Sequence, residues 1–215
     1  MVENSDAPPL LEARGLSFAR NDEPIFGPVD LAVRAGEALV VEGDNGAGKT
    51  TLVRILAGLV EPTAGTLLWQ GAPLDRDMRD AKGMALLGHH LGLKPELTPR
   101  ENLAFRAALD GVRRGMTTEM ALRSVGLEGY EDSAVRTLSA GQRKRTALAA
   151  LLLSGASLWL LDEPYANLDR PGHVLVDRML ETHCQRGGSA ILTSHGLSMP
   201  ALARVGRLQL RVTPP

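Results

Sequence analysis

The spacing of hydrophobic and polar positions changes several times along this chain, and each change predicts an element. Residues 10–42 read as strands. Val29, Leu31 and Val33 alternate with Asp30, Ala32 and Arg34, the two-residue period of a half-buried strand. Asn21–Asp22 predicts the turn before it. Ala38–Glu42 is a short apolar run, suited to a strand buried on both faces. The period then lengthens: Leu52, Ile55, Leu56 and Leu59 fall at helical spacing and predict a helix over Lys49–Leu59, ended by Pro62 and Gly65. Thr66–Gln70 reads as a strand turning at Gly71. From about Leu97 to Tyr130 the pattern is helical and more charged, with one helix opening at Glu101 and another over Thr117–Val125. Beyond Gln142 the chain alternates: helix to Leu153, strand Ser157–Leu161, helix around Val174–Thr182, strand Ser189–Thr193. Such alternation implies a parallel sheet covered on both faces.

The most apolar stretch, Ala147–Leu161, falls short of the ~18 residues of a membrane span. Ser154, Gly155 and Ser157 interrupt it, and a buried helix followed by a buried strand explains it better. The chain has 215 residues, enough for one core with a small subdomain. Lys and Arg total 24 against 25 Asp and Glu, so no excess of positive charge points to a nucleic-acid partner. The one cysteine, Cys184, suits a reducing compartment and reads as a spectator thiol. Residues 1–9 form a polar tail without the basic and apolar regions of a signal peptide.

Chemistry enters at Gly43-Asp44-Asn45-Gly46-Ala47-Gly48-Lys49-Thr50, followed by Thr51. This fits G-x-x-x-x-G-K-[ST] at every fixed position, between a predicted strand and a predicted helix. The glycines let backbone N–H groups converge, and the helix start adds partial positive charge. Lys49 can reach β- and γ-phosphates, and the Thr50 hydroxyl can ligate Mg²⁺. A second candidate is the apolar strand that ends in Asp162–Glu163. Acids at a strand tip face the ligand crevice of an α/β sheet, where Asp162 would hold Mg²⁺ and Glu163 would polarise an attacking water. Alone, the pair is equally a solvated strand end. Ser139 and Gln142 have capping-box spacing, sufficient reason for both, yet with Gly141 they also make a second helix start that can bind an anion. His195, just past an apolar strand, is placed to sense a γ-phosphate or to serve structure alone.

Together these residues resemble the ATP-binding cassette (ABC) family. Leu138-Ser139-Ala140-Gly141-Gln142 resembles its LSGGQ signature, with Ala140 in place of a glycine. Ala166-Asn167-Leu168-Asp169 resembles its D-loop, and His195 its switch histidine. The motif order is the family's, and the resemblance covers the chain from Leu10 onward. It implies an α/β fold: a P-loop NTPase core of the ABC-ATPase kind over residues 10–215, with an antiparallel β subdomain and an inserted helical subdomain near 95–135. It also implies a head-to-tail homodimer, with ATP and Mg²⁺ between Lys49 of one copy and Ser139 of the other. Finer features are Leu67-Leu-Trp69-Gln-Gly71-Ala-Pro73-Leu, Leu87-Gly-His89, Leu97-Thr-Pro-Arg-Glu101-Asn102-Leu and Leu158-Trp159-Leu-Leu-Asp-Glu-Pro. These resemble the heme-exporter ATPases of cytochrome c maturation. That implies integral membrane subunits of the heme-exporter permease type as partners, and a peripheral place on the cytoplasmic face of the bacterial inner membrane.

Three positions depart from the family pattern. His89–His90 stand where many cassettes carry a glutamine that contacts Mg²⁺, and either can align there. Imidazoles also ligate heme, but a place beside the nucleotide argues against it. Arg20 stands where an aromatic residue often stacks on adenine, a task its guanidinium can also perform. Ala149–Ala150 replaces a common arginine, a change the sequence does not account for. Three rival readings stand beside this one. The ATPase of a different transporter has the same motifs. A cassette protein acting on nucleic acid or ribosomes usually carries coiled-coil insertions or a second cassette. A P-loop kinase has no need of Ser139–Gln142.

Overall fold

The computed structural model describes residues 8–74, 83–194, 202 and 204–211. The elements, in chain order, are β1 (Leu11–Arg20), β2 (Glu23–Val33), β3 (Ala38–Glu42), α1 (Lys49–Leu56), β4 (Ala64–Trp69), β5 (Ala72–Pro73), β6 (Met84–Leu87), α2 (Pro99–Asp110), α3 (Thr118–Ser124), a 3₁₀ turn (Val135–Thr137), α4 (Ala140–Leu153), β7 (Leu158–Leu161), α5 (Arg170–Gln185), β8 (Ser189–Thr193) and β9 (Val205–Gln209).

Two sheets form. The antiparallel one has the order β2-β1-β4-β5, and the parallel one the order β6-β7-β8-β3-β9. Tight turns set the hairpins of the first. Asn21 and Asp22 both have left-handed backbone (φ 50° and 64°), as do Gln70 and Gly71 (φ 51° and 83°). Two positive-φ residues match the twist of the flanking strands, and Asn, Asp and Gly accept that conformation most readily.

The parallel sheet separates two cores, and side-chain parity decides which residue serves which. Trp159 and Leu161 of β7, with Ala38 and Val40 of β3, pack toward α2, α3, α4 and α5. Leu158 and Leu160, with Leu39 and Val41, pack toward α1 and the antiparallel sheet. Both faces are covered, so these strands are uninterrupted apolar runs. The apolar stretch 147–161 resolves as expected into the end of α4 and then β7. Among the described residues no helix is long and apolar enough to cross a membrane.

Local chemistry starts the helices. Thr98 and Glu101 form a capping box on α2, Ser139 and Gln142 one on α4, and Asp169 caps α5 by accepting from Gly172 N at 2.9 Å. Helices α2 and α3 and the 3₁₀ turn lie in the stretch 95–135 or at its edge. Asn102 of α2 is buried and fastens the preceding loop. Its Oδ1 accepts from Lys94 N at 2.7 Å, and its Nδ2 donates to Lys94 O at 3.1 Å and Thr98 O at 2.9 Å.

Several expected boundaries differ. Helix α1 stops at Leu56 because Gly58 turns left-handed (φ 69°), which leaves Leu59 65% exposed rather than on the buried stripe. Helix α5 starts earlier than expected, at Arg170, on its Asp169 cap. The sequence pattern did not predict β5, β6 or β9.

Candidate active site

The phosphate-loop sequence joins β3 to α1 and curls around its own lysine. Lys49 is buried, and its Nζ donates to the carbonyls of Gly43 at 2.6 Å and Asp44 at 2.9 Å. Gly48 is the residue before α1, with φ 88°; a Cβ there would lie 2.7 Å from Phe26 Cδ1. Only glycine suits both constraints. Helix α1 has no side-chain cap and no acid in its first turn. Its first N–H groups therefore retain their hydrogen-bonding capacity and the positive end of the helix dipole, the chemistry of an anion site. They open on a cleft of about 400 Å³ lined by Arg20, Ile25, Asn45, Gly46, Gly48, Lys49, Thr50, Thr51 and Glu163. Ala47 is buried beneath the loop.

Asp162 and Glu163 follow directly from β7, next to β8, which carries Thr193 and lies between β7 and the loop-bearing β3. Asp162 is 4% exposed. Its Oδ2 accepts from Thr50 Oγ1 at 2.8 Å and its Oδ1 from Thr193 Oγ1 at 2.9 Å, while its N–H donates to Leu87 O at 2.7 Å. The Thr193 hydroxyl in turn accepts from Glu163 N at 2.8 Å. Thus Thr50, Asp162, Thr193 and Glu163 form one hydrogen-bonded chain at the cleft. The Glu163 backbone is left-handed, φ 49°, and its carbonyl accepts from the buried Lys144 Nζ at 2.9 Å. Burial pushes the Lys144 amine below its ordinary value, against the opposing pull of Asp162 and Glu163.

The hydroxyl and carboxylate oxygens of Thr50 and Asp162 are hard donors of the kind Mg²⁺ takes. Mg²⁺ is usually held by one or two protein oxygens and completed by phosphate and water. Among the described residues no group of three or more His, Cys, Asp and Glu is arranged to hold a metal alone, so a site shared with phosphate is the arrangement these donors fit. His89 and His90 follow β6 as exposed residues, edge to face with centroids 5.7 Å apart, and neither lines the cleft.

Ser139, Gly141 and Gln142 sit at the start of α4 and are likewise absent from the lining. Ser139 is exposed; its N–H donates to Gln142 Oε1 at 2.9 Å and its Oγ accepts from Gln142 N at 3.1 Å. The capping reading of this pair therefore holds. Ala149 is fully buried, and Ala150 lines a small hollow that it shares with Arg106 of α2. Residue 149 belongs to the core cluster, where an arginine would bring a charge among apolar side chains. His195 lies outside the described residues. Sequence reasoning missed Ile25, Lys144 and Thr193, whose parts depend on contacts between distant segments.

Comparison with known proteins accords with this geometry. The family model described as ABC transporter matches residues 26–166. The chain belongs to the ABC transporter family. It is 58% identical over 190 residues to the cytochrome c biogenesis ATP-binding export protein CcmA of Xanthomonas campestris pv. campestris (strain 8004), covering 88% of each chain. It is 54% identical over 206 residues to the protein of the same name from Xanthomonas axonopodis pv. citri (strain 306), covering 96% of each. Its fold superimposes with a TM-score of 0.84 on a solved ATP-binding subunit of an ABC transporter, 26% identical, over 94% of this chain and 88% of that one. Within the ABC family the chain groups with the cytochrome c biogenesis export proteins, and it is an ATPase of that family.

Proposed function

We propose that this ABC ATPase drives the heme-exporter complex of cytochrome c biogenesis, coupling ATP hydrolysis to the loading or release of a heme chaperone. The observation that carries the hydrolytic part is the chain of hydrogen bonds from Thr50 through Asp162 and Thr193 to Glu163 at the mouth of the cleft. The α1 N-terminus and Lys49 bind the β- and γ-phosphates, with Asn45, Gly46 and Thr51 around them, and Arg20 stacks on adenine. Thr50 and Asp162 would hold Mg²⁺, which would supply charge neutralisation for the phosphates. Glu163 accepts a proton from water as the water oxygen bonds to the γ-phosphorus. The bond between that phosphorus and the bridging oxygen breaks, and ADP and phosphate leave. The role of sensing the γ-phosphate falls to His195 by its place in the family's motif order.

Ser139, Gly141 and Gln142 complete the site from the second copy of a head-to-tail homodimer, which accounts for their place outside this chain's own cleft. The dimer sits on the cytoplasmic face of the inner membrane as a peripheral subunit bound to integral membrane subunits of the heme-exporter permease type. The relatives' names, the family and the site chemistry support this reading. Its test is co-expression with those membrane subunits. ATPase activity that co-purifies with them, and heme transfer to the chaperone that stops with Lys49→Ala, is the expected result. Normal heme transfer with an inactive ATPase would overturn it.

A further inference from the structure

Residues 162–169, between β7 and α5, are fastened along one side of α4. Arg145 Nη2 donates to Asp169 Oδ1 at 3.1 Å. The backbone at Gly141 approaches Asn167 O so closely that a Cβ there would lie 3.1 Å from it. Lys144 Nζ donates to Glu163 O at 2.9 Å. Only the last contact reaches a residue that lines the cleft.

Lys144 is the unusual member of the set. A helical lysine ordinarily runs its stem along the surface and keeps its ammonium in water. This one is 4% exposed, and withdrawing an ammonium from water opposes folding. What it holds is a strained backbone. Glu163 has φ 49°, a conformation uncommon for residues with a Cβ. Its N–H is held by the Thr193 hydroxyl at 2.8 Å and its C=O by the Lys144 ammonium. Holding the peptide groups on both sides of one Cα fixes φ and ψ there, and with them the direction in which the carboxylate leaves the backbone.

We infer that Lys144 is a positioning residue for hydrolysis: through the Glu163 carbonyl it aims that carboxylate and ties its direction to the pose of α4, which begins at the Ser139 cap and carries Gly141 in its first turn. The inference rests on the reading of Glu163 as the proton acceptor. A misplacement of about 1 Å at the reacting groups can cost on the order of 10²-fold in rate.

The test measures ATP turnover, ATP affinity and Tm of the purified chain carrying Lys144→Met, Lys144→Gln, Glu163→Gln, and Lys144→Met combined with Glu163→Gln. Lys144→Met should lower kcat by about tenfold or more, leave KM for ATP within about twofold, and keep or raise Tm. Lys144→Gln, whose amide can donate to the same carbonyl, should recover part of the loss. On the Glu163→Gln background Lys144→Met should cost nothing more, because both act through one group. A lowered Tm with normal turnover per folded molecule, for either Lys144 variant, would overturn the inference. So would a full additional loss on the Glu163→Gln background. If Glu163→Gln alone hydrolyses ATP normally, the reading of Glu163 fails and the inference fails with it.

Discussion

Thr193→Val removes the hydroxyl that joins the Asp162 carboxylate to the Glu163 backbone while keeping the shape of the side chain. Thr193 is fully buried, so packing is nearly conserved and the change isolates two hydrogen bonds. One is donated to Asp162 Oδ1 at 2.9 Å and the other is accepted from Glu163 N at 2.8 Å. A bond to a carboxylate is worth about 1.5–3 kcal/mol, and depriving a buried amide of its acceptor costs about 1–3 kcal/mol. We expect a loss of about 3 kcal/mol, or roughly 6–12 °C in Tm for a chain of this size. Urea unfolding followed by circular dichroism measures it. Thr193→Ser is the control: it keeps the hydroxyl and gives up one methyl, a loss of about 1 kcal/mol. A valine variant within about 0.5 kcal/mol of wild type would refute the bridging role, as would a serine variant as unstable as the valine one.

Two further outcomes follow from the same geometry. Lys49→Ala should lower turnover by on the order of 10²–10³ and weaken ATP binding, because it removes the cation that the loop encloses; calorimetric ATP titration with a turnover assay checks both. His183 stacks on Trp159 with ring centroids 3.9 Å apart, and burial holds its imidazole below the ordinary value. A depressed folded-state value means that its contribution to stability is fully present above pH ~6.5 and is lost as pH falls toward the folded value, since the unfolded chain takes the proton first. Urea unfolding of wild type should therefore lose stability between pH 7 and pH 5, and His183→Phe should flatten that slope; an equal slope in both proteins would count against it.

The parts of the fold set by near neighbours were legible in the sequence. The turn at Asn21–Asp22, the run Ala38–Glu42 and the glycines before Lys49 each declare their conformation within a few residues. Residues 157–161 were readable as a buried strand for the same reason. Strand β6 is only the four residues Met84–Leu87, too short to show a period, and β9 includes Gly206 and Arg207 at the edge of the sheet, where exposure weakens the pattern. The end of α1 was misjudged because Leu59 continued an apolar spacing that Gly58 interrupts. The start of α5 was marked by Asp169, Arg170 and Pro171, a cap followed by a first-turn proline, although the apolar spacing alone pointed to a later start. At the site, Lys49, Thr50, Asp162 and Glu163 were found because each sits at a strand or helix end within a motif. Thr193 was visible only as the last residue of a strand, and Lys144 only as the middle of a basic triplet. Their parts arise from hydrogen bonds to residues 31 and 19 positions away, which no local pattern encodes.

ATP hydrolysis at the cleft between the phosphate loop and the Asp162–Glu163 tip depends on one proton acceptor. Single-turnover hydrolysis by Glu163→Gln, measured beside its ATP affinity, tests it most directly. Glutamine keeps the shape and the backbone contacts but cannot accept the proton of the attacking water. ATP affinity should stay within about threefold of wild type, hydrolysis should slow by at least ~10², and an ATP-bound dimer should accumulate. Hydrolysis within a few-fold of wild type, with ATP bound equally well, would contradict it.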